Sequence, residues 1–172
     1  MLRNALILLV LLSVSACGFR PLNHPRLEGG AVTRGLTDVK IEFIEDRVGQ
    51  QLRNELLDRL NPYGQPDRPL YRLTVDLQEG QQNLSIRKDD SSTRANLIIA
   101  SQFRLYNIQT NQQITGGNFR SVNSYDILTS EYATQVAREN ARKRGAQQIA
   151  QHIETRLSLF FLEQAQRRRT SP

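Results

Sequence analysis

Apolar residues recur with two different periods along this chain, and the switches between them lay out its elements. Val39, Ile41 and Phe43 alternate with Lys40 and Glu42, the period of a strand with one buried face. Behind Asp46, a capping residue type, Val48, Leu52, Leu56, Leu57 and Leu60 follow at helical spacing, and Asn61-Pro62-Tyr63-Gly64 stops that helix. Alternation then returns three times. Tyr71, Leu73, Val75 and Leu77 mark a second strand over residues 70–79, with an extension toward Leu84 and Ile86. A third, over 94–107, sets Leu97, Ile99, Phe103 and Leu105 on one face and Ile98, Ala100, Gln102, Arg104 and Tyr106 on the other. A fourth, over 114–126, opposes Phe119 and Tyr125 to Arg120, Val122 and Ser124, with Gly116-Gly117 marking a bulge or turn at its start. Short polar links make these three strands an antiparallel meander.

A long helix over 131–162 closes the pattern. Its Ala146, Ile149, Ala150, Ile153, Leu157 and Phe160 form one apolar stripe, while Ala133, Val136, Ala137 and Ala141 fall nearly opposite, with Gly145 at the changeover. That predicts a bend or a change of packing partner near Gly145. The order β-α-β-β-β-α, with one apolar face per element, predicts an α+β fold: a two-layer sandwich, its four-stranded, mostly antiparallel sheet carrying two helices on one face.

Upstream of the body lies a third kind of apolar pattern. Arg3 precedes the run Ala5-Leu6-Ile7-Leu8-Leu9-Val10-Leu11-Leu12, and small residues lead to Cys17. The run is too short for a membrane span, which needs about 20 apolar residues, and has the parts of a secretory leader. The single cysteine follows the small residues directly, and in this the segment resembles a bacterial lipoprotein signal, whose thiol is acylated and whose cut falls just before it. Residues 1–16 are therefore expected as leader and Cys17 as the lipidation site, not a metal ligand, disulfide partner or nucleophile. Gly18 stands where an aspartate would resemble the signal for inner-membrane retention, so the expected site is the outer membrane, anchored through lipid on its periplasmic side. Residues 17–37, with Pro21, Pro25, Gly29, Gly30 and Gly35 and no apolar period, read as a lipidated tether. Residues 38–162 then form the domain and 163–172, with Arg167-Arg168-Arg169, a disordered basic tail.

Charge narrows the partners. The chain carries a formal +6, which becomes +5 once Arg3 leaves with the leader, and Lys40, Lys88 and Lys143 are its only lysines. Positive charge is thus almost all guanidinium, which grips phosphate and carboxylate through two parallel hydrogen bonds. Export makes nucleic acid an improbable partner and leaves anionic glycolipid or an acidic protein face.

Catalytic chemistry finds few candidates. His24 lies in the tether and His152 on the long helix with no second histidine near it, so neither a histidine catalyst nor a metal site is assembled. No nucleophile elbow, paired-histidine zinc motif or phosphate-cradling glycine loop occurs. Asp89-Asp90 read as a solvated hairpin loop. No enzyme activity, metal or cofactor is expected. The one arrangement favoured for binding is the set Arg87, Lys88 and Arg94, which a hairpin between the second and third strands brings to one end of the sheet. Arg104 and Arg120, outward on neighbouring strands, form a second set.

Taken jointly, Cys17-Gly18-Phe19-Arg20-Pro21-Leu22, the element order, and the closing segment from Ser124-Tyr125-Asp126 through Tyr132-Ala133 to Ala150 and Ile153 resemble the LptE family of lipopolysaccharide-assembly lipoproteins, in its alphaproteobacterial branch. The resemblance implies a non-enzymatic protein that sits as a plug inside the outer-membrane β-barrel LptD and helps deliver lipopolysaccharide to the outer leaflet. It also implies direct lipopolysaccharide binding through basic residues at one end of the sheet, a role here assigned to Arg87, Lys88 and Arg94. A plug in a polar lumen needs a polar exterior, which Gln102, Gln112, Gln113, Asn118 and Asn123 are expected to supply. The alternative is an envelope lipoprotein serving as structural or assembly factor of another periplasmic or outer-membrane complex.

Overall fold

The computed structural model describes residues 28–86 and 92–170. In chain order these form α1 (Glu28–Thr37), β1 (Val39–Ile41), α2 (Asp46–Leu60), β2 (Tyr71–Ile86), β3 (Ser92–Asn107), β4 (Gln113–Asp126) and α3 (Glu131–Thr170). The strands make one sheet in the order β1-β2-β3-β4. β1 runs parallel to β2 through Val39↔Tyr71, the pairing that a helical crossover such as α2 permits, and the other neighbours are antiparallel. The expected α+β sandwich is therefore present, with a third helix added.

Alternation sorts the sheet into two faces. Tyr71, Leu73 and Val75 of β2 and Ala95, Leu97, Ile99, Phe103 and Leu105 of β3 are buried against helices, while Arg72, Asp76, Gln102, Arg104 and Arg120 lie on the uncovered face. α2 buries Val48, Leu52, Leu56 and Leu60, the row its spacing predicted, and ends where expected: the Asn61 amide donates to the Leu57 carbonyl, and the Asn61 side chain donates to the Thr37 carbonyl at 3.1 Å. Asp46 opens α2 with a φ of 67° and does not cap it; the cap position is Glu45, whose side chain makes no capping hydrogen bond.

α3 departs from the sequence expectation. Its buried positions are Ala141, Gly145, Ile149, Ile153, Leu157 and Phe161, with Ala146, Ala150 and Ser158 beside them. A row of every fourth residue slants round a helix of 3.6 residues per turn by about 40° per step, so the two stripes read from the sequence are one oblique row, continuous through Gly145. Val136 stays exposed and Phe161, not Phe160, is the deeper aromatic. Gly145 is the point of closest approach. A Cβ there would lie 2.6 Å from Ile99 Cδ1 and 3.2 Å from Ser121 Oγ. Under this crossing the inward residues of β4 are small and polar: Ser121 Oγ donates to Gln148 Oε1 at 2.9 Å, and Asn123 Nδ2 donates to Ser121 Oγ at 2.6 Å. Asn123, expected on the polar exterior, is instead buried in this network.

The stretch to Thr37 expected as tether is helical from Glu28, and α3, expected to end at 162, continues to Thr170. The two helices pack on each other. Val32 is 3% exposed, and the Phe161 ring, 5.2 Å from Tyr71, lies so close to Gly35 that an added Cβ would meet its Cγ and Cδ1 at 2.6 Å. Gly35 is thus required by contact, and the helix it interrupts in propensity terms is held by the aromatic pair it touches. At the sheet margins, β1 has three residues and its Ile41 amide is taken by Gln65 Oε1 at 3.2 Å, whereas the fourteen-residue β4 has β3 as its one neighbour among the described strands.

Gly35→Val should cost about 1–3 kcal/mol, the range for overpacking a filled site, measured by urea unfolding. Hydrogen exchange should accelerate in α1 before it does in β3.

Candidate functional site

The β2–β3 hairpin is paired as far as Ser85↔Arg94 and Ile86↔Ser92, and β4 accompanies it to Arg94↔Asp126. Three strands and the first turns of α3 therefore meet at this end. Of the three cations assigned there, Arg87 and Lys88 lie outside the described residues, and Arg94 is placed at the hairpin base on the uncovered face. Its Nε donates to Asp126 Oδ1 at 3.2 Å, with both side chains more than half exposed. A pair that open to water is worth at most about 1 kcal/mol.

Sequence reading missed a second basic group, carried by α3. Arg142 donates to both oxygens of Glu79 at 2.7–3.1 Å and to Glu139 Oε1 at 2.7 Å. Hydrogen bonding to Glu79 raises its already high pKa against the opposing effect of burial, so it is a permanent cation fastening α3 to β2. Arg138 donates to the Tyr125 hydroxyl at 3.2 Å with its guanidinium 5.7 Å from that ring's centre, and Arg144 donates to the Ser124 carbonyl at 3.0 Å. Apart from Glu139, three residues before Arg142, the partners of these arginines lie 13 to 63 residues away, which no local pattern reveals. The i,i+4 spacing of Arg138 and Arg142 was the only available sign.

Exposed apolar side chains share this end. Leu84, Leu128, Tyr132 and Val136 are 48%, 50%, 80% and 43% exposed. Guanidinium groups beside aliphatic and aromatic surface match an amphiphile with an anionic head. The second expected set is not gathered in this way. Arg104 donates to Asp76 Oδ2 at 2.9 Å and also to Gln102, an ordinary face pair, while Arg120 stands opposite Ala100. Cys17 and His24 lie outside the described residues. Among those described, no group of three or more histidine, cysteine or carboxylate side chains is placed to hold a metal, and no helix is long and apolar enough to cross a membrane.

His152 stacks on Phe119, ring centres 4.3 Å apart and planes 17° from parallel. Burial first, and then the charge of Arg156, lowers its pKa below the usual imidazole value.

The model of a family described as LptE, lipopolysaccharide-assembly, matches residues 36–157. No curated protein matches. Solved structures with the same fold include a protein of Caulobacter crescentus CB15 described as a lipoprotein, 24% identical with a TM-score of 0.63, covering 77% of this chain and 96% of its own. Rare lipoprotein B of Shewanella oneidensis is 14% identical with a TM-score of 0.56, covering 73% and 96%. A minor lipoprotein of Acinetobacter baumannii is 20% identical, also at 0.56, covering 70% and 90%.

Because the unfolded chain binds the imidazole proton near the ordinary value and the folded chain only at lower pH, His152 favours folding above about pH 6.5 and opposes it as pH falls below. His152→Phe, which keeps a ring on Phe119, should flatten the decline in stability as pH falls below about 6.5 in urea titrations.

Proposed function

The chain belongs to the LptE family, and on that premise we propose that it is an outer-membrane lipoprotein, acylated at Cys17, that occupies an LptD-like β-barrel as a plug and assists the passage of lipopolysaccharide to the outer leaflet. Membership itself gives it a part in lipopolysaccharide assembly, and that is the observation carrying the proposal. Two physical features support the finer reading.

The uncovered sheet face suits a water-filled lumen more than a lipid one. Its side chains bond to one another, Arg104 to Asp76 and Ser124 Oγ to Asn96 Oδ1 at 2.7 Å, around the apolar cross-strand pair of the half-exposed Val122 and the partly buried Ile98. The hairpin end suits the ligand. Lipopolysaccharide presents phosphates beside acyl chains, and Arg94 stands at the same end as the exposed Leu84, Leu128 and Tyr132, with Arg87 and Lys88 seven and six residues before it in the sequence. No acid, base or nucleophile is asked to react. The protein's work is recognition and placement.

Depletion of the protein should leave the barrel misassembled and lower surface lipopolysaccharide, read by barrel heat-modifiability and by surface labelling. Normal barrels and normal lipopolysaccharide would sink the proposal. Replacing Arg87, Lys88 and Arg94 together by alanine should weaken lipopolysaccharide binding by about tenfold or more, since charge-assisted hydrogen bonds are each worth about 1.5–3 kcal/mol. Unchanged affinity would remove the ligand role from these residues.

A further inference from the structure

At the end of the molecule opposite the hairpin, α3 runs past the sheet. Phe161 still covers Tyr71, the first residue of β2, and the helix continues through Arg167, Arg168 and Arg169 to Thr170. α1 lies antiparallel beside it: Ala31, Arg34 and Gly35 share one cleft with Phe161, Gln164 and Arg168. The first turn of α1 therefore leaves the body alongside the arginine-bearing last turns of α3. Loop side chains complete this end. Leu70 and Ile108, 47% and 41% exposed, are joined by the hydrogen bond from the Ile108 amide to the Leu70 carbonyl, and Tyr63 is 99% exposed.

We infer that this end, with Arg34 and Arg168 beside Leu70 and with Arg167 and Arg169 on the same last turns of α3, is a docking surface for an anionic phospholipid bilayer. Three observations select that occupant. Five arginines, counting Arg68 with the four, stand there against the four acidic residues Glu28, Asp38, Asp67 and Glu163. Aliphatic side chains and a tyrosine stand exposed among the charges, the mixture that settles at a headgroup boundary. The chain preceding Glu28 holds Arg20 and Arg26 and no carboxylate back to Cys17, and those eleven steps reach at most about 40 Å. The inference rests on the lipid-anchored reading in this last respect, because an acylated Cys17 brings this end within reach of the membrane. It adds a second, electrostatic hold, which lipid-modified proteins commonly require.

The test uses the mature chain carrying Cys17→Ser, so that no acyl group contributes, and vesicles of phosphatidylcholine with or without phosphatidylglycerol. The chain should sediment with the phosphatidylglycerol vesicles, be released by raised salt, and ignore pure phosphatidylcholine. Arg167→Gln, Arg168→Gln and Arg169→Gln together should lower the partition coefficient at least about tenfold at low salt, with the circular dichroism spectrum unchanged. Gln81→Ser with Gln82→Ser, at the far end and outside the proposed lipopolysaccharide contacts, should leave it unchanged. Equal binding to both vesicle types, no binding to either, or loss caused only by the far-end variant overturns the inference. Mass spectrometry of the native product reads acylation of Cys17 separately, so failure of the anchor and failure of the surface are told apart.

Discussion

Everything in this fold rests on how closely α3 can lie on the sheet. Helix and strand backbones meet at Gly145, against Ile99, Ser121 and Asn123, and neither a larger residue on the helix nor larger ones on β4 leave room for that approach. The inner face of β4 accepts small polar side chains there because Gln148 satisfies them, keeping buried hydroxyl and amide groups from the cost of lost hydrogen bonds. Once that crossing is fixed, the oblique buried row carries α3 from the sheet at Ala141 to α1 at Phe161. One helix thereby joins the hairpin end to the opposite end.

The two ends differ in kind. At the hairpin, arginines of α3 are spent on fastening: Arg142 bridges two carboxylates and Arg138 leans on Tyr125, leaving Arg94 in a weak pair beside exposed apolar side chains. Where α3 ends, Arg167, Arg168 and Arg169 follow one another on its last turns. Between the ends, the uncovered sheet face is polar and internally bonded. The molecule thus presents three chemically different surfaces, and its family is one of lipopolysaccharide assembly.

How much of this was legible in the sequence depended on whether local pattern or distant contact set each feature. All four strands, α2 and the stop at Asn61 followed from period and punctuation, because each presents one face to one core. α1 did not, since Gly29, Gly30 and Gly35 leave Val32 and Leu36 as its thin apolar signal and its helicity comes from packing on Phe161. The oblique row of α3 looked like two stripes because a straight-axis projection separates residues that a slanting contact unites. Asn123 was read as surface for its polarity, while its partner Gln148 sits 25 residues on. Of the set assigned to binding, Arg94 alone falls among the described residues, where β3 leaves the hairpin. The fastening role of Arg142 depends on Glu79, 63 residues away, and that separation carries no local mark.

The unequal margins of the sheet have one more consequence. β1 is short and stoppered by Gln65, but β4 offers fourteen residues of ladder with one side unclaimed among the described strands. Such a rim is a template on which any extended polypeptide, including a sibling copy, adds itself. Left uncovered, then, this margin makes the protein prone to associate with itself as its concentration rises.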